Sequence, residues 1–186
     1  MPHVRSPQRL DADRSALWVI DLQEKLCPVI RSADNVIRQT HRLLEASGRL
    51  GGPASATVQY PAGLGPLVGS LQSRVPSPEE KRDFSAAVCR GSLDRWLGEG
   101  RDQIVIVGIE THVCVLQTVL DLIAEGARPF VVAEGVAARN GRDHETAIER
   151  MRAAGATIVT VESVLFEWLA TSNHPEFKAI SRLIKG

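Results

Sequence analysis

Short apolar runs alternate along the chain with longer segments in which apolar residues recur at helical spacing. The run 103–108 (QIVIVG) and the run 16–20, which ends at Asp21, are typical of strands buried on both faces of a parallel sheet. Weaker strand patterns lie at 54–58, 128–133 and 157–161. Helical patterns cover 33–49, 91–98, 113–125, 144–154, 162–170 and 175–184.

Strands that alternate with helices predict parallel βαβ units, and right-handed crossovers place the helices on both faces of the sheet. The predicted fold class is therefore α/β: a three-layer, doubly wound, Rossmann-like domain with a mostly parallel sheet. The length of 186 residues fits one domain, which we place at 15–186 after a flexible lead-in at 1–14. Residues 60–80 are rich in Gly, Pro and Ser and predict a long loop with one short helix near 66–72. Loops of this length are often functional.

Composition and charge exclude several classes of protein. The chain has 22 Lys plus Arg and 22 Asp plus Glu, so its net charge is zero. It lacks the excess of positive charge that would favour binding to a nucleic acid or an anionic membrane. The longest apolar runs are far shorter than a membrane span, and the polar start MPHVRSPQRLDADRS lacks the apolar stretch of a secretory signal. We therefore expect no nucleic-acid or membrane partner and a cytoplasmic location, where cysteines stay reduced.

The candidate chemistry lies at the carboxyl ends of the strands, where open α/β sheets bind their ligands. Asp21 ends the first strand, and Cys114 follows the QIVIVG strand near the start of the next helix, with Glu110 and His112 between them. A helix N-terminus favours a thiolate and lowers the pKa of a cysteine, so Cys114 is a candidate nucleophile. The alternative is a buried small apolar residue, since free cysteines are among the most buried types.

Two charged residues complete the candidate set. Asp21 is either a capping carboxylate or a proton acceptor for a nearby nucleophile. Lys81 lies in EEKRDFSAA, a charged run of the kind that is usually a solvated face. A lysine beside a cysteine lowers the pKa of the thiol and stabilises charge on a substrate oxygen. Cys27 and Cys89 have no comparable setting, and we interpret them as structural.

Three segments together, ALWVIDLQEKL, KRDFSA and VIVGIETHVCVLQTVLDLIAEG, resemble the isochorismatase-like cysteine hydrolase superfamily. The shared pattern is an Asp after strand one, a Lys in K-x-x-[FY]-S and a Cys in G-[IV]-x-T-x-x-C-V. The resemblance extends over about 14–185 and is closest to the branch of isochorismatase domain-containing hydrolases of undefined substrate. It implies that Cys114 is the nucleophile, Asp21 the general base and Lys81 its charged partner.

The resemblance also implies how the rest of the site is built. A cis peptide bond is expected between Ile109 and Glu110, and the backbone N–H groups of Glu110 and Cys114 would form an oxyanion hole. The substrate pocket would include the following side chains near the GLG loop: Leu22, Gln23, Tyr60 and His112. Gln23 and Tyr60 could form hydrogen bonds with a small polar substrate, or they could only pack and cap neighbouring segments; both alternatives are open. His112 stands where amidase relatives often have an acidic residue.

The implied reaction is hydrolysis of an amide-like C–N bond in a small molecule, through a thioester formed on Cys114. Isochorismatases that cleave a vinyl ether do not need the cysteine, so its retention favours acyl chemistry. Nicotinamidase-type relatives carry an Asp-and-His metal site after the second strand, whereas ATVQYPAGLG has no histidine. We therefore expect no metal and no cofactor. The resemblance also implies a homo-oligomer, with the helix that bears Trp168 as either an interface or part of the core.

Three alternatives remain open at this point. The enzyme could hydrolyse another bond, such as an ester or a vinyl ether. The chain could be a non-catalytic scaffold or binding protein that retains the fold, although a scaffold needs none of the three candidate catalytic residues. It could also be a thiol-based redox protein, if Cys27 or Cys89 approaches Cys114 in space.

Overall fold

The computed structural model describes residues 4–185, in which six strands form one parallel sheet in the order β3-β2-β1-β4-β5-β6. The strands are β1 (Ser15–Ile20), β2 (Ala54–Gln59), β3 (Glu79–Lys81), β4 (Gln103–Ile109), β5 (Arg128–Ala137) and β6 (Thr157–Val159). The strand order reverses between β1 and β4, which creates a crevice at their carboxyl ends where ligands bind in such sheets. The α/β prediction is confirmed, and every pairing between the described strands is parallel.

Helices cover both faces of the sheet, which confirms the three-layer prediction. They are α1 (Ala33–Arg49), α2 (Pro61–Leu64), α3 (Gly69–Gln72), α4 (Arg90–Gly98), α5 (Leu116–Ala124), α6 (Gly141–Ala154), α7 (Val161–Leu169) and α8 (Phe177–Lys185). In β1, Leu17 and Val19 point into the core shared with α1, α7 and α8, whereas Trp18 and Ile20 point into the core shared with α4, α5 and α6. This alternation follows from the two-residue period of a strand.

The largest departure from the sequence prediction is the charged run that contains Lys81. Instead of a solvated face, Glu79–Lys81 forms the edge strand β3, with Thr57 opposite Glu79 and Gln59 opposite Lys81. Lys81 is only 4% exposed. A strand of three residues with two glutamates has no apolar pattern, so hydrophobic periodicity does not reveal it.

Smaller differences concern the ends of elements. β5 continues to Ala137 beyond a break in its pairing with β4, and α6 begins at Gly141 because the Asn140 side chain accepts from the Arg142 N–H. Cys114 lies within a π-helical turn, Thr111–Val115, that precedes α5. The sequence instead predicted that Cys114 lies in the first turn of an α-helix that begins at 113.

The segment before β1 contacts the sheet and α7. Leu10 is fully buried, and its N–H donates to the Glu167 carboxylate at 2.6 Å. The flexibility of 1–14 and the domain boundary at 15 stay predictions, and residues 1–3, like residue 186, lie outside the described residues. Trp168 is buried, and its indole N–H donates to the Ser15 hydroxyl at 2.9 Å, so of its two predicted roles the structure favours core packing.

None of the helices between residues 4 and 185 combines the length and the apolar character that crossing a membrane requires.

Candidate active site

Three strand ends bring the predicted catalytic side chains together. Asp21 directly follows β1, Lys81 ends β3, and Cys114 lies in the turn that follows β4. The Lys81 ammonium donates to Asp21 Oδ2 at 2.6 Å, and both side chains are inaccessible to solvent. The pKa of the Cys114 thiol is shifted by Asp21 and Lys81, which places the thiol beside this ion pair.

Asp21 is held in an unusual backbone conformation. Its φ is +51°, in the left-handed region that costs a residue with a side chain about 1–3 kcal/mol. Thr57 secures it twice: the Asp21 N–H donates to the Thr57 carbonyl at 3.2 Å, and the Thr57 hydroxyl donates to Asp21 Oδ1 at 2.8 Å. The Asp21 carbonyl accepts from the Gln23 N–H at 2.8 Å. One carboxylate oxygen therefore faces Thr57 and the other faces the lysine.

The buried charge of Lys81 is satisfied by oxygen atoms on several sides. Besides Asp21, Lys81 Nζ donates to Gln59 Oε1 at 2.8 Å and to the Phe84 carbonyl at 3.0 Å, with the Asp83 carbonyl at 3.3 Å. An ammonium carries three donors, so the set is saturated. A buried ion pair is tolerated only when such extra hydrogen bonds offset its desolvation.

The thiol of Cys114 is not the low-pKa group that its position in the sequence suggested. Burial, followed by the negative charge of Asp21, raises its pKa to about 12, and the positive charge of Lys81 opposes this only in part. Cys114 is 7% exposed, and burial disfavours the charged thiolate. With such a pKa the thiol keeps its proton at neutral pH, beside the Asp21 carboxylate.

This pKa predicts how Cys114 reacts with iodoacetamide. Because only the thiolate reacts, we expect the labelling rate to rise about tenfold per pH unit from pH 7 to 10 without a plateau. Cys27, whose pKa burial raises to about 11, should behave alike, whereas all three cysteines of the denatured chain should level off near their ordinary pKa. Peptide mass spectrometry measures each site separately. A plateau for Cys114 below pH 8 would contradict the structure and restore the activated thiolate expected from the sequence.

The turn between β4 and Cys114 contains the backbone groups predicted to form the oxyanion hole. The Ile109–Glu110 peptide bond is cis. The Glu110 carbonyl accepts from the Val113 and Val115 N–H groups at 3.0 and 3.2 Å, while the Glu110 N–H donates to no protein acceptor within 4–185. The assignment of the Glu110 and Cys114 N–H groups to an oxyanion hole stays a prediction.

Two of the four predicted pocket residues, Leu22 and Gln23, are fully buried. Leu22 is fully buried in the core beneath α1. Gln23 is also fully buried; its amide donates to the Gln59 and Gly65 carbonyls at 3.0 and 2.6 Å and accepts from the Gln59 N–H at 2.7 Å. Of the two roles left open for Gln23, the structure favours packing, because its amide already joins the end of β2 to the loop that follows; a contact with substrate stays a prediction.

Tyr60 and His112 remain at the surface of the site region. Tyr60 is 41% exposed, and the Arg82 guanidinium lies 4.0 Å from the centre of its ring. His112 Nε2 lies 3.9 Å from Asp143 Oδ2 on α6. Asp21 and Lys81 are among the groups that shift the pKa of Cys114, whereas His112 is not. Substrate contacts by Tyr60 and His112 stay predictions.

The sequence reasoning missed Thr57 and Gln59, which hold the ion pair from β2. They stand two residues apart and therefore on the same face of the strand, at its carboxyl end. Polar residues at successive positions on one face of a buried strand were the signal that could have found them. Residues 4–185 contain no cluster of three His, Cys, Asp or Glu side chains arranged for a metal.

The fold and the site together define a doubly wound α/β protein with a thiol, a carboxylate and an ammonium at the point where its strand order reverses. The chain belongs to the isochorismatase family, because the family model described as Isochorismatase domain matches residues 15–163. The resemblance found in the sequence is thus confirmed, and the protein is an isochorismatase-like hydrolase.

Individual relatives agree with this assignment. Isochorismatase domain-containing protein 2A of Mus musculus is 36% identical over 180 residues, covering 95% of this chain and 85% of the mouse protein. A Caenorhabditis elegans structure described as MAR1 ribonuclease is 34% identical, with a TM-score of 0.89 and coverage of 96% and 93%. YcaC from Pseudomonas aeruginosa, described with covalent acrylamide, is 25% identical, with a TM-score of 0.83 and coverage of 98% of both chains.

Proposed function

We propose that this hydrolase is a metal-independent cysteine enzyme that cleaves an amide-like C–N bond of a small molecule through a thioester on Cys114. The observation that carries the proposal is the buried Asp21–Lys81 pair, joined at 2.6 Å, beside the Cys114 thiol. A nucleophile with a base in reach, itself oriented by a third group, is the pattern of covalent catalysis. A protein that only binds or scaffolds has no need for a buried charge pair of this kind.

In the acylation step, Asp21 accepts the proton of the Cys114 thiol as the sulfur attacks the carbonyl carbon. Because the thiol starts protonated, proton transfer and attack are coupled, and the thiolate never has to persist in the buried site. The carbonyl oxygen becomes an oxyanion that the Glu110 and Cys114 N–H groups stabilise, a contribution of about 3–4 kcal/mol per donor in other enzymes. Asp21 then gives its proton to the leaving nitrogen, the C–N bond breaks, and an amine departs.

Deacylation repeats the same proton path with water as the nucleophile. Asp21 accepts a proton from the attacking water, the C–S bond breaks, and the thiol is restored as the carboxylic acid leaves. Lys81 orients the carboxylate throughout: it holds Oδ2, while the Thr57 hydroxyl holds Oδ1. No step draws on a metal or a cofactor.

The burial of the site limits the substrate to a small molecule. Cys114 is 7% exposed, so only a narrow group reaches its sulfur, and the zero net charge does not favour a polyanion. An ester would pass through the same thioester with an alcohol as the leaving group. The amide is preferred because Asp21 is placed to protonate a leaving amine, which departs poorly without a proton.

The test is capture of the thioester. A panel of small primary amides and the matching ethyl esters is mixed with the enzyme, quenched in acid and analysed by intact mass and peptide mapping. We expect the acyl group on the peptide that contains Cys114 and free ammonia in solution. Cys114→Ser should give no thioester, and Asp21→Asn should slow acylation at least about 100-fold.

Controls separate this outcome from non-specific labelling. Acrylamide, which is covalently bound in the YcaC structure, should modify Cys114 in folded protein, while Cys27→Ser should leave capture unchanged. Amide hydrolysis that persists in Cys114→Ser would overturn the cysteine mechanism. If only the esters are hydrolysed, the proposed amide reaction is wrong and the enzyme is an esterase that uses the same thioester.

We also propose that the enzyme is cytoplasmic and forms a homo-oligomer, as the family resemblance implies. Light scattering coupled to size exclusion tests the oligomeric state, and a mass equal to one chain would contradict it.

A further inference from the structure

The hydroxyl of Thr118, on α5, joins two parts of the site that are distant in sequence. Thr118 is fully buried, and its Oγ1 donates to the Cys114 carbonyl at 2.6 Å. The same oxygen accepts from the Ala86 N–H at 2.8 Å. A single hydroxyl thereby connects the turn of the nucleophile to the segment that follows β3.

That segment is the one that holds Lys81. The carbonyls of Asp83 and Phe84 accept from Lys81 Nζ, and two residues later Ala86 begins a short 3-10 turn. β3 is an edge strand of three residues, paired only with β2. The bond from Ala86 to Thr118 therefore anchors the ammonium-binding carbonyls to the helix of the nucleophile.

We propose that Thr118 is a positioning residue that keeps the Lys81 segment and the Cys114 turn in register. The expected effect of Thr118 on turnover rests on the proposed function, whereas its role in holding the two segments together does not. A threonine hydroxyl that bonds to the carbonyl four residues earlier is common in helices. The second bond, to an N–H 32 residues earlier in the chain, is what couples the two segments.

Loss of the hydroxyl would leave a buried Ala86 N–H without an acceptor. An unmade buried hydrogen bond favours local opening toward water. The segment 82–87 would then loosen, and the ammonium of Lys81 would move relative to Asp21 and Cys114. Displacements of about 1 Å in a catalytic constellation lower rates by about 100-fold.

Thr40 provides a matched control. It is also fully buried, and its hydroxyl donates to the carbonyl four residues earlier, that of Val36, at 2.8 Å. It lies in α1, on the opposite face of the sheet. Thr40→Val therefore removes the same intrahelical bond from a buried threonine that is outside the site.

The experiment compares wild type, Thr118→Val, Thr118→Ser and Thr40→Val by hydrogen exchange, by acetylation of Lys81 and by kinetics. In Thr118→Val we expect at least tenfold faster exchange in the peptide covering 82–88, faster acetylation of Lys81, and a kcat reduced about 10–100-fold with KM changed less than threefold. Thr118→Ser should restore all three to within about threefold of wild type. Thr40→Val should leave all three unchanged while lowering Tm.

Two results would overturn the proposal. One is exchange and acetylation in Thr118→Val equal to those of wild type; the other is faster exchange with unchanged kcat. If wild type hydrolyses no amide or ester, the proposed function fails, yet exchange and Lys81 acetylation still decide whether Thr118 holds the segment.

Discussion

Replacing Lys81 with methionine is expected to lower the free energy of unfolding by about 3–5 kcal/mol and to remove turnover. The substitution keeps the volume of the stem but leaves the carboxylate of Asp21, 0% exposed, buried without its cation. Removing one partner of a buried ion pair is costly because the remaining charge stays desolvated. Urea denaturation at pH 7 measures the stability, and the amide panel measures turnover.

An exposed ion pair of similar geometry provides the control. Arg14 Nη2 lies 2.6 Å from Asp102 Oδ2 at the surface, and Arg14→Met should cost no more than about 1 kcal/mol. The double variant Asp21→Asn/Lys81→Met should regain part of the stability lost in Lys81→Met, since no charge remains buried, yet stay inactive. If Lys81→Met costs no more than Arg14→Met, the ion pair does not hold the site together. If the double variant is active, the pair is not catalytic.

The burial of Lys81 could not be predicted from the sequence. The strands around Asp21 and Cys114 are long apolar runs, whose burial follows from transfer of apolar surface out of water, so the fold and two strand ends could be predicted. The burial of Lys81 depends on two partners from other segments, Asp21 and Gln59, besides the Asp83 and Phe84 carbonyls of its own segment. Nothing local in a charged run encodes the two distant partners. The family pattern identified the lysine, but its environment required the structure.

The same reasoning explains why the pKa of Cys114 was predicted in the wrong direction. Its position after a strand correctly placed it near a helix end, where the local field favours a thiolate. Desolvation depends instead on how many atoms pack around the sulfur, which is a property of the assembled core. The hydrogen bonds between the Gln23 amide and backbone groups likewise depend on the tertiary structure. Polar residues near a strand end thus include both reactive groups and structural ones, and the sequence alone does not separate them.

Replacing Gly108 with alanine is expected to cost at least about 4 kcal/mol and to disrupt the site. Gly108 lies opposite Ile20 in the pairing of β4 with β1, and its φ is +130°. An added Cβ would overlap the Ile20 carbonyl oxygen and lie 2.7 Å from the carbonyl carbon. Since these are backbone atoms at the centre of the sheet, no side-chain rotation relieves the clash.

Relief requires β1 and β4 to separate at their carboxyl ends, where Asp21 and the turn of Cys114 begin. The glycine thus permits the close approach that places Asp21, after one strand, beside Cys114, after the next. Gly48→Ala, in α1 with nothing within 4 Å of the added Cβ, should instead stabilise by about 0.4–1 kcal/mol. Thermal and urea unfolding of both variants measure the contrast, together with acrylamide labelling of Cys114. A folded Gly108→Ala with the stability and thiol reactivity of wild type would mean that the two strands need no such contact to align the base with the thiol.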